Sequence, residues 1–412
     1  MSQHGIPAVR PGTDLGRHAR DLLRIHDAVL SGHRAPEQPR TLVARSWRRV
    51  LEMGLDPDRR DAGGTPSAVD AARRRAASPL SLVIDDLRAV LTSAADAATY
   101  LMVVTDADGI VLWREGSARV RLTADRLGFA EGARWTEGAV GTNAIGTALA
   151  EAAPVELFSA EHFEHQQHPW YCTAAPVHDP RTGALLGVVD VSGPALTLHP
   201  ALGALVESSV RLAEMSLWRR HQEGLARLRR ETEHVVSTVT GPLLVVDDHG
   251  WVAHHAGVAA RDRIEVPRSD RALAVPGLGL CVPERIAGER GWLVRPATPD
   301  ARLTACLDLT DSPLLELTSD AGTWRTTLTR RHAEIVRLLH RAGPEGLTAA
   351  SLSRAVFGDA EHVVTVRAEV SRLRRVIGAL VATNPYRLAD SVTLTVTPRS
   401  DLDGRHRLGQ HG

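Results

Sequence analysis

The chain of 412 residues contains no lysine, so all 49 of its strongly basic side chains are arginines. That absence excludes Schiff-base catalysis, which needs a lysine amine. It also excludes a phosphate-gripping loop, whose lysine reaches the β/γ-phosphates. The second exclusion bears on one stretch, EGAVGTNAIGTALAE (137–151). There Gly141 and Gly146 stand five apart, and Thr147 holds the place of the loop lysine. ARWTEG precedes it, where such a loop would need an apolar strand. Cysteine is scarce as well. Cys172, Cys281 and Cys306 are scattered, with no CxxC pair, which predicts a reducing compartment and no disulfide framework. Long apolar runs are missing. Leu101–Thr105 and Ala184–Val189 are strand-sized, far short of the ~20 residues a spanning helix needs. The amino-terminal MSQHGIPAVRPGTDLGR has no apolar core of a secretory leader. The expectation is a soluble, cytoplasmic protein with no membrane partner and no bound cofactor.

What is present suffices for two or three domains, since 43% of residues are hydrophobic. The expected fold class is α+β, multidomain. Residues 1–77 read as a helical region, with Leu42, Val43, Trp47, Val50 and Leu51 at helical spacing. A joint is expected at DAGGTPS, around 62–67. Residues 78–222 are mixed. A helix leads into YLMVVTDADGIVLWREG, a hairpin turning at Asp106–Gly109. YCTAAPVHDPRTGALLGVVDVSG is a second, turning at Asp179–Gly183. Long amphipathic helices follow over 199–238, with Val206, Val210, Ala213 and Leu217 recurring every three or four residues, as do Leu225 and Leu228, and with 223–238 as a linker. Residues 239–300 open with GPLLVVDDHGWVAHHAG and predict a small β-rich domain. Residues 301–398 predict a strand platform, three helices and a terminal hairpin in YRLADSVTLTV. A polar, disordered tail is expected at 399–412.

The 301–398 segment carries the clearest chemistry. Between Arg325 and Pro398 stand eleven arginines and six acidic residues, an excess near +5 in a chain of net charge zero. Local positive charge of this kind is the footprint of nucleic-acid binding. Its third helix, from about Val364, has an apolar stripe of Val366, Val370, Leu373 and Ile377, spaced 4, 3 and 4. At ~100° per residue, Arg375 falls opposite that stripe. Ala368, Ser371 and Arg372 lie within a quarter turn of it, and Arg367 and Arg374 flank. A rigid helix of this kind suits a major groove, where guanidinium forks meet guanine edges or phosphates. With SRLRRVIG (371–378) and PYRLADSVTLTV, the segment resembles the OmpR-type winged helix. The resemblance implies binding of double-stranded DNA through Arg367, Ser371, Arg372, Arg374 and Arg375, with Arg387 on the wing.

Five phrases, SWRRVLEMGLDP, WTEGAVGTNAIGTAL, the AEHF phrase, WYCTAAPVHDP and GALLGVVDVSG, occur in that order over most of 40–220. They resemble the GAF sensor of AcoR-like bacterial activators. This implies a transcription regulator rather than an enzyme, sensing a small-molecule effector, with RNA polymerase as a possible partner and a homodimer as its state, the Val206–Leu228 stripe of the helix after the GAF domain being its dimer seam. Those activators usually continue into an ATPase, for which this chain has no lysine. In the family the glycine stretch borders the sensory cavity, and its helix start, capped by Thr142 or Asn143, offers N–H groups to a polar ligand. Trp135 and Trp170 are apolar wall candidates, and Asp190 is a polar residue in an apolar strand. The expected ligand-binding residues are Trp135, Asn143, His162, Trp170, Cys172 and Asp190. Three readings stand for His162, His165, His168 and Cys172: a metal or redox site, a cavity lining, or loop packing; no metal is expected. The opening of 239–300 looks faintly like a PAS domain. Two rival functions remain open, an enzyme using Cys172 with His162 or His168, and a non-DNA signalling adaptor.

Overall fold

A computed structural model describes residues 7–58, 67–94, 100–269, 272–275, 278–286, 291–296, 303–319, 322–390 and 392–397. The expected joint, Ser67 apart, and the expected tail lie outside these residues. Contacts divide the chain into two units, 1–221 and 222–412. No helix among the described residues is long and apolar enough to cross a membrane.

In the first unit, helices α1 (Leu15–Leu30), α2 (Thr41–Glu52), α3 (Ala68–Ala77) and α4 (Ile84–Ala94) precede strands β1 (Leu101–Asp106) and β2 (Val111–Gly116). Helices α5 (Ala118–Asp125), α6 (Glu137–Val140) and α7 (Ala144–Glu151) lead to β3 (Val155–Phe158), β4 (Trp170–His178) and β5 (Leu185–Pro194). The long helix α8 (Leu202–Glu231) follows, with residues 202–221 in this unit. The sheet runs β2-β1-β5-β4-β3, antiparallel throughout. Both expected hairpins form, and Gly109 and Gly183 take the positive φ that their turns require.

Leu22 and Ile25 of α1 and Val43, Trp47 and Val50 of α2 join the same hydrophobic core as the sheet. The amino-terminal helices are therefore part of this domain's interior, not a region beside it. Val206, Val210, Ala213 and Leu217 of α8 enter that core too. This corrects the expected dimer seam, because the stripe is consumed within the chain. Helical spacing shows that a face is covered, not whether a sheet or a second copy covers it. Leu212 and Met215 are the large apolar side chains of α8 that stay exposed among the described residues.

In the second unit, α9 (Glu233–Thr238) is followed by β6 (Leu243–Asp247), β7 (Val252–Ala256), β8 (Leu273–Val275), β9 (Gly279–Arg285) and β10 (Gly291–Pro296). These form an antiparallel sheet, β7-β6-β10-β9-β8. The unbroken apolar run in β6 reflects cover on both faces. Leu244 and Val246 pack with Leu273, Trp292 and Val294, whereas Leu243 and Val245 pack with Leu228 and Leu293.

Strands β11 (Leu303–Asp308), β12 (Leu314–Ser319) and β13 (Gly322–Thr327) come next. Helices α10 (Arg330–Ala342), α11 (Ala349–Phe357) and α12 (Val363–Ile377) follow, then β14 (Val381–Ala382), β15 (Arg387–Leu388) and β16 (Val392–Thr397). Thr348 caps α11, accepting from Ser351 N. The expected hairpin within YRLADSVTLTV does not form. β15 pairs with β14, while β16 joins β11 in parallel. The physical reason is the alternation in β16. Its inward Val392, Leu394 and Val396 need an apolar sheet face, and β11 supplies a six-residue edge where β15 offers two residues.

Candidate functional site

The glycine stretch folds as a tight turn into a helix, with its polar groups turned inward. Gly141 ends α6 at φ +71°, and a Cβ there would stand 2.7 Å from the Phe163 ring. A Cβ on Gly146 would stand 2.5 Å from Glu137 N. Close approach, not a phosphate, accounts for both glycines. Asn143 caps α7, accepting from Gly146 N (2.8 Å) and donating to Gly141 O (2.9 Å). Its amide is thus committed to the turn, and the helix start is closed by its own cap.

Glu137, 5% exposed, is the hub beneath this turn. It accepts from Ser46 Oγ (2.5 Å), Thr147 Oγ1 (3.0 Å), Arg49 Nε (2.7 Å) and Arg49 Nη2 (2.8 Å). Arg49 Nη1 also donates to Glu151 (2.8 Å). Nearby, Arg40 donates to both oxygens of Glu161 (2.6 and 2.7 Å), and Trp47 Nε1 donates to Glu161 O (3.1 Å). The SWRR, WTEG and GTNAIGT phrases therefore meet at Glu137, and the AEHF phrase is held beside them by Arg40 and Trp47.

A second buried polar group is built differently. Pairing places Cys172 opposite Ser192 and Ala174 opposite Asp190, so Trp170, Cys172, Ser192 and Asp190 share one face of the sheet. His162 Nδ1 donates to Ser159 O (2.9 Å), which leaves a lone pair on Nε2, 3.3 Å from Cys172 Sγ. Ser192 Oγ lies 3.1 Å from that sulfur and donates to Asp190 Oδ2 (2.5 Å). Asp190 Oδ1 and, on the same face, Thr105 Oγ1 are buried without a hydrogen-bond partner among the described residues. Burial raises the Asp190 carboxyl to about 7, against the lowering effect of Ser192. Burial also pushes the Cys172 thiol well up and lowers His162 to about 4. Cys172 nevertheless keeps partial accessible surface.

Of the expected ligand residues, the structure brings His162, Cys172 and Asp190 together, with Trp170 on the same face. Trp135 packs against Phe129 (4.0 Å between ring centroids). Ser192 is the member that sequence reasoning missed; only the strand register reveals it. The Cys172–His162 pair is within reach of an enzyme's dyad, but its electrostatics run the wrong way. A nucleophilic cysteine needs a depressed pKa, and here both groups are held neutral. His165 and His168 do not join the thiol. Their rings lie 5.1 and 4.6 Å from His26 of α1, a residue sequence reasoning did not single out. Burial lowers the pKa of His168 to about 3 and also lowers that of His26.

On α12, Val366, Val370, Leu373 and Ile377 are at most 2% exposed. They pack with Ile335, Val336 and Leu339 of α10 and Leu352 of α11. Arg367, Ser371, Arg372, Arg374 and Arg375 are exposed, and Ala368 is half-buried. Arg372 pairs with Glu369 (2.5 Å). Arg387 is half-buried and turned onto Asp390. A cleft of about 320 Å³ is lined by Arg367, Ser371, Arg374 and Arg375 together with Glu265 and Tyr386.

Residues 19–214 match the family described as MimR, N-terminal domain. A Rhodococcus erythropolis protein, described as an uncharacterized 47.3 kDa protein in the thcA 5' region, is 31% identical over 400 residues, 94% of this chain and 74% of that one. AcoR of Bacillus subtilis, the acetoin dehydrogenase operon transcriptional activator, is 32% identical over 228 residues, 55% of this chain and 37% of the activator. MimR of Mycolicibacterium goodii, the propane 2-monooxygenase operon transcriptional activator, is 31% identical over 192 residues, 46% of this chain and 32% of the activator. The chain spans about a third of the length of these two activators.

Proposed function

The chain belongs to the family of the Rhodococcus 47.3 kDa protein and carries a MimR-type N-terminal domain, and from that premise we propose that it is a transcription regulator that senses a small molecule and binds DNA directly. In this reading residues 78–222 are a GAF sensor, 239–300 a PAS-like domain, and 301–398 an OmpR-type winged helix. The observation that carries it is the division of α12 into a buried aliphatic stripe and an exposed face of four arginines and Ser371. Arginines so presented suit phosphates and guanine edges. The relatives named as activators support the regulatory role.

The effector site is the Asp190 cluster. Its idle carboxyl oxygen suits a hydrogen-bonding group on a small, mainly apolar molecule, walled by Trp170. With no lysine among its residues, this chain holds no P-loop, so the reading has no ATP-driven promoter opening by these residues. A homodimer and contact with RNA polymerase belong to the same proposal.

The test is selection of bound duplexes from a random pool by the full chain, followed by titration at several salt concentrations. The reading expects one enriched sequence and a log K against log salt slope of about −4 or steeper, since each neutralised phosphate contributes about −0.9. No enrichment, with a slope near zero, overturns it.

A further inference from the structure

Four residues that neither the DNA face nor the Asp190 cluster uses converge where α1 meets the loop after β3. His26 on α1 is buried and Asp27 beside it is exposed. His165 stands in the loop, with its backbone N–H on Pro57 O (3.2 Å). Ligand atoms of His26, Asp27 and His165 all lie within 4.8 Å of one another.

The hydrogen bonds decide which nitrogens carry lone pairs. His26 Nε2 lies 3.0 Å from Phe163 O, so it holds the proton and donates. In the neutral ring the lone pair is then on Nδ1, which faces Asp27 Oδ1 at 3.4 Å. Two acceptors thus face each other, across a gap longer than the usual N–H···O distance of about 2.7–3.2 Å. His165 repeats the pattern. Its Nδ1 donates to the Asp58 carboxylate (2.9 Å), leaving the Nε2 lone pair 3.9 Å from Asp27 Oδ1. A histidine whose far nitrogen is held by a carbonyl or carboxylate is the usual form of a metal ligand. Donors about 2.1 Å from a tetrahedral ion stand about 3.4 Å apart, which is the His26–Asp27 spacing. The longer His165 gap closes by rotation of the exposed Asp27 carboxylate together with a shift of the half-buried His165 ring toward His26.

We propose that His26 Nδ1, Asp27 Oδ1 and His165 Nε2 bind one divalent first-row transition metal ion, with Asp58 orienting His165. Two imidazoles and one carboxylate select Zn²⁺, Co²⁺ or Fe²⁺ over Mg²⁺ and Ca²⁺. The exposed side of the site leaves the remaining coordination positions to water. A bound ion joins α1 to the loop that carries His162, which itself reaches Cys172 in the effector cluster. Occupancy therefore braces one wall of that cluster.

The test takes the full chain without a histidine tag, stripped by a chelator and titrated with Co²⁺ alone. One equivalent is expected to bind with the visible absorption of a nitrogen- and oxygen-ligated ion, and Zn²⁺ should displace it. His165→Ala and Asp27→Ala change side chains that reach solvent, so both should keep the parent's circular dichroism while losing at least about tenfold in Co²⁺ affinity. Asp58→Ala should weaken binding by about tenfold, the usual loss for an outer hydrogen-bond partner. Absence of one-equivalent binding overturns the site, as does equal affinity in the parent and in His165→Ala.

Discussion

Glu137 and Asp190 are both carboxylates buried in the first unit, yet their surroundings are opposite. Glu137 accepts four hydrogen bonds, two of them from a guanidinium. Among the described residues Asp190 accepts one, from Ser192, and its other oxygen is idle. The first charge is matched on folding. The second is desolvated without compensation, so its carboxyl rises to about 7. The difference separates framework from site. A buried acid saturated by its own protein has nothing left to offer a ligand, whereas a half-satisfied one is a place where a ligand completes the hydrogen bonding.

Three variants test that contrast. Glu137→Ala should have the largest effect, a loss of about 3 kcal/mol or more, because it takes the shared acceptor from the buried Ser46 and Thr147 hydroxyls and leaves Arg49 with Glu151 alone. Urea denaturation should show the loss across pH 5–8, and a loss below about 1 kcal/mol would put the two acids in one class. Asp190→Asn should act in the opposite direction. The folded-state pKa lies above the unfolded value near 4, so the native chain binds the proton more tightly, and parent stability falls as pH rises from about 4 to about 7. The asparagine variant should match the parent near pH 4 and exceed it by about 2–4 kcal/mol at pH 8. A gain that does not change with pH would remove Asp190 from the site. The smallest change is expected for Gly146→Ala, whose added methyl meets the Glu137 backbone at 2.5 Å. Crowding there should cost about 1–3 kcal/mol, with effector binding unchanged. Altered binding would place the glycine turn in the site after all.

Legibility in the sequence followed the range of the interactions. The two hairpins around Gly109 and Gly183 and the apolar stripe of α12 rest on neighbours within a few residues, and each took its expected form. Asp190 stood out as a lone acid in an apolar strand. The Glu137 hub did not, because Ser46 lies 91 positions away and nothing local marks the pair. The same holds for His26 and Phe163, 137 positions apart. Two expectations failed because a pattern does not name its partner. The α8 stripe met its own sheet instead of a second copy, and β16 met β11 instead of β15. Alternation and helical spacing report that one face is covered, and tertiary topology decides by what.

The most direct test of the account is the affinity of Arg372→Ala/Arg375→Ala for the duplex recovered by selection, read by fluorescence anisotropy beside circular dichroism. Both side chains are exposed, and the stripe behind them is untouched. The account predicts a loss of at least about 100-fold, from about 1–3 kcal/mol per base-reading arginine, with an unchanged spectrum and melting temperature. Parental affinity in a folded variant would contradict it.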